Sequence, residues 1–265
     1  MSRQGAKWQM ASCRWAGLLA YLFAYFLTAC LPMATPPHFP TETPTPADTA
    51  TPTVIWFPST QTPTTVATVI HSPTPESRPG VGAILMSDGF YLPTEWTLQN
   101  TASTSISVGG NELTLALSQP KGYIYSIQEG ALFSDFYAEI TASTNLCSGL
   151  DEYGMLIRYN SPSNFYRFSL SCNGQIRLDR VYAGTPSSPQ AWMPSTSVPS
   201  AAPSISRLGV WAAGDEMRFF VNDQYQFSVS DSLFPSGALG VFIRSGGETA
   251  VTVSFSDLVV RSVRH

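Results

Sequence analysis

Residues 164–182, NFYRFSLSCNGQIRLDRVY, alternate apolar and polar side chains in two runs on either side of Asn173-Gly174. A period of two marks a half-buried strand, and the Asn-Gly break marks a hairpin. A two-residue turn would set Leu170 opposite Arg177 and Phe168 opposite Asp179, mixing both faces. A three-residue loop, Cys172-Asn173-Gly174, with the glycine in the left-handed region, shifts the register by one. Leu170 then faces Ile176 and Phe168 faces Leu178, while Ser169 meets Arg177 and Arg167 meets Asp179 on the other side. One slip exchanges the two faces, so the clean separation selects the three-residue loop. The preceding run YGMLIRY (153–159) alternates too. Pairing Ile157 with Phe168 and Met155 with Leu170 sets Arg158 beside Arg167, so the polar face is predicted to carry Arg158, Arg167 and Asp179 in a row.

Further short runs follow: ELTLAL (112–117), YIYSI (123–127), DFYAEI (135–140), LGVWAA (208–213), MRFFV (217–221), YQFSV (225–229), ALGVFI (238–243) and VTVSFSDLVV (251–260). Turn residues such as Gly109-Gly110, Gly214-Asp215 and Asn222-Asp223 separate them. No window carries a helical period, so the pattern predicts an all-β, two-sheet jelly-roll sandwich of about a dozen strands. The run ILMSDGF (84–90) and the C-terminal run are predicted to pair. The stretch 183–204, with five prolines and Trp192, reads as a long irregular loop.

The start of the chain has a different pattern. Arg3, Lys7 and Arg14 precede the uncharged WAGLLAYLFAYFL (15–27), the form of a secretory signal over residues 1–30. The tetrapeptide Leu27-Thr28-Ala29-Cys30 resembles the lipobox of bacterial lipoproteins, in which the cysteine is diacylated and becomes the mature N-terminus. Two acyl chains hold a protein on a bilayer durably, which one does not. An uncleaved membrane helix is the other reading, and it leaves the rest of the chain on the same outer side. Both imply a cell-envelope protein facing outside the cytoplasm.

Residues 31–80 hold 12 prolines and 13 threonines, a composition that cannot bury enough apolar surface to offset its ordering entropy. It reads as a disordered linker, extended at about 3.1 Å per residue where polyproline II forms. The cluster Val54-Ile55-Trp56-Phe57 is out of character there, either a docking segment or a solvated accident. Residues 81–265 remain, of the size of one all-β domain. They carry 10 basic and 15 acidic side chains with no basic run, which argues against nucleic acid.

Of four cysteines, Cys13 lies in the signal and Cys30 is the lipidation candidate. Cys147 and Cys172 have neither a CxxC spacing nor a nearby histidine, so a disulfide in an oxidising compartment is expected rather than a metal site. It would close a loop of about 26 residues and contribute about 3 kcal/mol.

Taken in order, FSDFYAEI, YGMLIRY, NFYRFSLSCNGQIRL, Trp192, RLGVWAAGDEMRFFVND and GALGVFI…VSFSDLVV resemble concanavalin A-like lectin/glucanase jelly rolls. The similarity is nearest to their keto-disaccharide hydrolase or laminin-G-like branch. It implies a curved sandwich with a sugar-holding concave face. Glucanases of that superfamily carry a Glu-x-Asp-x-Glu strand, and this chain has none: Glu139 is followed by Ile-Thr-Ala, and Asp151-Glu152 and Asp215-Glu216 are adjacent pairs expected in solvated loops.

Residues 81–264 lack histidine, which removes Ser-His-Asp and histidine–metal chemistry from the domain. Among the aromatics, Tyr153, Tyr159 and Tyr166 share parity with core positions, and Trp211 sits in an apolar run; packing is their expected work. The loop residue Trp192 is freer. The ligand candidates are therefore Arg158, Arg167, Asp179, Arg177 and Trp192, since arginine and carboxylate hydrogen-bond sugar hydroxyls and tryptophan stacks on sugar rings. The same row reads equally well as a solvent-facing ion-pair ladder. No cofactor is expected, and no loop is oxygen-rich enough to name calcium ligands. Three functions are compatible with these residues: a tethered carbohydrate-binding module, a carbohydrate-active hydrolase, and an adhesion module gripping another envelope protein.

Overall fold

The computed structural model describes residues 77–247 and 250–264. The signal, Cys30 and the linker cluster at 54–57 lie outside the described residues. In chain order the strands are β1 (Val81–Asp88), β2 (Gln99–Asn100), β3 (Thr104–Gly109), β4 (Glu112–Leu117) and β5 (Tyr123–Ile127). They continue as β6 (Phe136–Leu146), β7 (Glu152–Ser161), β8 (Asn164–Ser171), β9 (Gln175–Tyr182) and β10 (Thr185–Pro194). The last five are β11 (Ser204–Ala213), β12 (Glu216–Val221), β13 (Gln224–Ser230), β14 (Ala238–Arg244) and β15 (Val251–Val263). Apart from a single 3-10 turn at Pro93–Glu95, all described regular structure is strand.

Two antiparallel sheets pack face to face. The smaller runs β10-β9-β8-β7-β14-β5 and the larger β13-β12-β11-β6-β15-β4-β3-β2, with β1 paired to β15. That last pairing sets Val81 against Val263 and Asp88 against Leu258, joining the two ends of the domain as expected. The core forms where the inner faces meet. Phe168 of the small sheet lies 4.9 Å from Phe219 of the large one, and Phe219 stacks on Phe227 at 4.7 Å. Tyr153 and Tyr166 are buried there, as their parity predicts.

The hairpin adopts the three-residue loop. Leu170 pairs with Ile176, Phe168 with Leu178, Ser169 with Arg177, Arg167 with Asp179, and Gly174 sits at φ +85°. Cys147 and Cys172 are bonded, their Cα atoms 5.8 Å apart.

Three expectations are corrected. First, β7 departs from the predicted register by two residues. Near its turn Ser161 pairs with Asn164, in line with the prediction, but a bulge follows and Met155 meets Phe168 while Ile157 meets Tyr166. A two-residue shift keeps each side chain on its face, so the core pattern survives. What it changes is Arg158, which sits inside the bulge at φ +48° and leaves the polar row altogether. Asn160 holds the bulge by donating to the Arg158 and Ser236 carbonyls. Second, most of 183–204 is not a loop: β10 pairs with β9 through two register shifts. Its Pro186, Pro189 and Pro194 are tolerated because β10 is an edge strand. Third, Asp151 and Glu152 are buried rather than solvated.

Candidate functional site

The outer face of the small sheet is assembled by register. Asp179 of β9 faces Arg167 of β8, Arg177 faces Ser169, and Glu152 of β7 lies between Ser171 and Arg244 of β14. These side chains form a continuous ladder. Asp179 Oδ2 accepts from Arg167 Nη2 at 2.6 Å and lies 2.9 Å from Arg177 Nη2. Arg177 Nη2 also donates to Glu152 Oε2 at 3.2 Å, and Arg244 Nη1 donates to Glu152 Oε1 at 3.0 Å. Ser188, from β10, donates to Asp179 Oδ1 at 2.7 Å. From contact to contact, Arg167, Asp179, Arg177, Glu152 and Arg244 alternate cation and anion.

The ladder rests on small residues. Gly154 lies opposite both Ser169 and Phe242, and a Cβ there would collide with the Phe168 carbonyl. The Arg167 guanidinium lies over this low floor, 5.6 Å from the Tyr123 and Phe242 ring centres. Burial opposes the Arg167 charge, but the hydrogen bond and charge of Asp179 outweigh it and hold the guanidinium above its ordinary value. Ser169 Oγ, Arg167 Nε and Arg177 Nε are buried without a hydrogen-bond partner among the described residues.

Beside the charges lies an aromatic strip. Tyr123 and Tyr125 of β5 are 5.6 Å apart, Tyr125 and Tyr159 5.9 Å, and Tyr159 stacks on Phe165 at 5.8 Å. All three tyrosines are half-buried, and the Tyr123 hydroxyl is itself buried. Burial pushes the Tyr123 hydroxyl up to about 12 while the Arg167 charge pulls it back. Burial, with the hydrogen bond to Tyr125, also raises Tyr159. At the opposite edge Trp192 stacks under Arg177, 4.4 Å from ring centre to guanidinium carbon, and stays half-exposed.

Of the predicted ligand residues, Arg167, Asp179, Arg177 and Trp192 meet on this face, and Arg158 does not. Arg158 is fully buried at one end of the sandwich. Its Nη1 donates to the Phe234 carbonyl at 3.0 Å, and its Nη2 to the carbonyls of Ser134 at 2.9 Å and Gly214 at 2.8 Å. Burial lowers its proton affinity, partly offset by Tyr166 and by Asp135, Asp215 and Asp231. It staples loops together and touches no ligand surface.

Sequence reasoning missed Glu152, Arg244, Ser188, Tyr123, Tyr125 and the turning of Tyr159 onto this face. One signal was available: in Tyr123-Ile124-Tyr125 the alternation already sets two tyrosines opposite a core isoleucine. The bulge that redirects Tyr159 has no such signature.

A concavity of about 360 Å³ lies at β1 and β15 and includes Asp88, Tyr91 and Asp257. Asp88 is committed there to the Trp96 indole N–H at 2.6 Å and the Phe90 N–H at 2.7 Å. Among the described residues no group of three or more His, Cys, Asp and Glu side chains gathers as metal ligands would.

No family model and no curated protein matches the sequence. Solved structures do match the fold. A carbohydrate-binding module, CBM66 from Bacillus subtilis, shares 18% identity at a TM-score of 0.51, covering 63% of this chain and 96% of its own. A Bacillus subtilis protein of unknown function with a galectin-like fold shares 14% at 0.55, covering 70% and 99%. The catalytic domain of a Thermotoga petrophila endo-1,3-beta-glucanase (laminarinase) shares 12% at 0.50, covering 69% and 98%. The described domain therefore has the concanavalin A-like jelly-roll fold that lectin-type modules and glucanases share.

Proposed function

We propose that this protein is a glycan-binding module carried on an envelope tether, with the ladder face of the small sheet as its binding surface. One observation carries the reading: on the outer face of the small sheet, three half-buried tyrosines and a tryptophan flank a band of linked arginines. Flat rings with polar edges stack on sugars, and guanidinium forks hydrogen-bond their oxygens. The carbohydrate-binding module and the glucanase among the structural neighbours support a saccharide partner in general terms.

Binding is favoured over hydrolysis by the state of the carboxylates. A glycosidase needs two free carboxyl groups flanking the scissile bond. Here Asp179 and Glu152 are covered and their oxygens are engaged by arginine and serine donors.

The experiment is glycan-array binding by the intact chain, by an Arg167→Ala plus Asp179→Ala variant, and by Tyr125→Ala as a variant that leaves the ion pairs in place. Loss of about tenfold in affinity or more, about 1.4 kcal/mol, is expected for both variants with the fold retained by circular dichroism. An array silent for the unaltered chain overturns the proposal. The tether rests on the apolar segment ending at Cys30, and a Cys30→Ser chain is expected to leave the detergent phase; continued retention would favour an uncleaved helix.

A further inference from the structure

The ladder is electrically lopsided in the direction that faces solvent. Its side chains alternate in sign, but they do not share the surface equally. Asp179 and Glu152 are 3% and 6% exposed, whereas Arg167, Arg177 and Arg244 are 13%, 16% and 44% exposed. The anions lie underneath and the cations cover them. There is also one more cation than anion, so the band has a formal surplus of one positive charge in a chain whose net charge is −4.

Donors are in surplus as well. Each guanidinium carries five N–H bonds and a carboxylate only accepts. Arg167 and Arg177 reach the carboxylates through Nη2 and Arg244 through Nη1. Arg177 Nη1 and Arg244 Nη2 make no hydrogen bond to protein among the described residues. A neutral sugar hydroxyl both donates and accepts, and a good site for it offers an accessible acceptor. The carboxylates that could accept are buried here. A group that only accepts, and carries charge, fits the exposed forks better.

We propose that the ligand class of this face is an anionic saccharide, one bearing carboxylate or sulfate groups, with Arg244 and the outer nitrogens of Arg177 as its anion contacts. The tyrosine strip would then take the sugar rings between charges. The inference rests on the glycan-binding reading and narrows it.

The test is titration of the purified full chain with four polymers: polygalacturonate, dextran sulfate, unmodified dextran and laminarin. One or both anionic polymers are expected to bind at least tenfold more tightly than the neutral ones, and preference between them distinguishes carboxylate from sulfate. Binding should weaken several-fold from 50 to 300 mM salt, because the contacts are ionic. Arg244→Ala should reduce anionic binding about fivefold or more. Its fold is expected to survive, since Glu152 keeps Arg177; Arg244→Lys, which retains the charge, should recover part of the affinity. Equal or tighter binding of the neutral polymers would overturn the anionic preference and leave the glycan-binding reading standing. Binding to none of the four by a chain that binds a neutral glycan elsewhere on an array has the same meaning, and silence on every glycan removes both. Anionic binding that ignores Arg244→Ala would place the contact off the ladder and overturn the assignment.

Discussion

Arg158 shows how far a single side chain can depart from what its neighbours in sequence suggest. It follows a run of core positions and precedes a tyrosine, so alternation sends it to the polar face. A positive φ and a bulge instead turn it inward, where its two terminal nitrogens donate to three backbone carbonyls. Replacing it by methionine keeps the apolar stem but leaves those carbonyls unpaired, at a cost on the order of 3 kcal/mol. The denaturation midpoint of Arg158→Met is expected to fall accordingly while glycan binding, once normalised to folded protein, stays unchanged. A residue of the binding surface would behave the other way round. Tyr123 carries a pH signature. Its folded hydroxyl titrates near 12, above the ordinary value of 10.0, because burial disfavours the phenolate. Between those values the unfolded chain loses the proton and the folded one keeps it, so stability falls as pH rises. Two units correspond to about 2.7 kcal/mol as an upper bound. Tyr123→Phe should flatten this alkaline decline in a melting series from pH 9 to 12; an unchanged slope would contradict the assignment.

At the level of strands, the hairpin was fully legible. Around its loop, Leu170 with Ile176 and Phe168 with Leu178 are apolar pairs while Ser169 with Arg177 and Arg167 with Asp179 are polar ones, so one register separates the faces, and the fold uses it. The β7 register was legible only modulo two, since a two-residue shift costs nothing in hydrophobic pattern. Local features decide it: the bulge at Arg158, the Asn160 bridge, and the close approach of Gly154 to the Phe168 carbonyl. β10 was misread for a different reason. Proline density argues for a loop in isolation, but an edge strand leaves alternate N–H groups unpaired and can absorb it. Glu152 was hidden because an adjacent acid pair looks solvated until β7 is seen to begin there, between two arginine-bearing strands. The disulfide followed from elimination and compartment, and it ties the end of β6 to the hairpin loop. Cys147→Ser is expected to cost about 3 kcal/mol, or about 10 °C in the melting midpoint. A loss under about 1 kcal/mol would mean that packing alone fixes the loop.

On the scale of the whole domain, the two outer faces are furnished differently. The chain enters across the outside of the large sheet. The Trp211 indole donates to the Pro79 carbonyl at 2.9 Å, and Arg218 donates to the Ser77 carbonyl at 3.2 Å. Arg78 lies over Tyr137 and Phe220, 5.3 and 5.2 Å from their ring centres. The ladder is on the other side of the sandwich from Ser77 and Pro79.

Comparing the two outer faces of the sandwich shows which of them binds glycan. Glycan affinity of the full chain should be measured for Arg177→Ala plus Trp192→Ala on the ladder face and for Arg207→Ala on the large-sheet face, where Arg207 is exposed beside Glu139 and Asp223. A loss of about tenfold or more confined to the ladder variant is the predicted result. Undiminished binding by that variant, or loss only with Arg207→Ala, would contradict it.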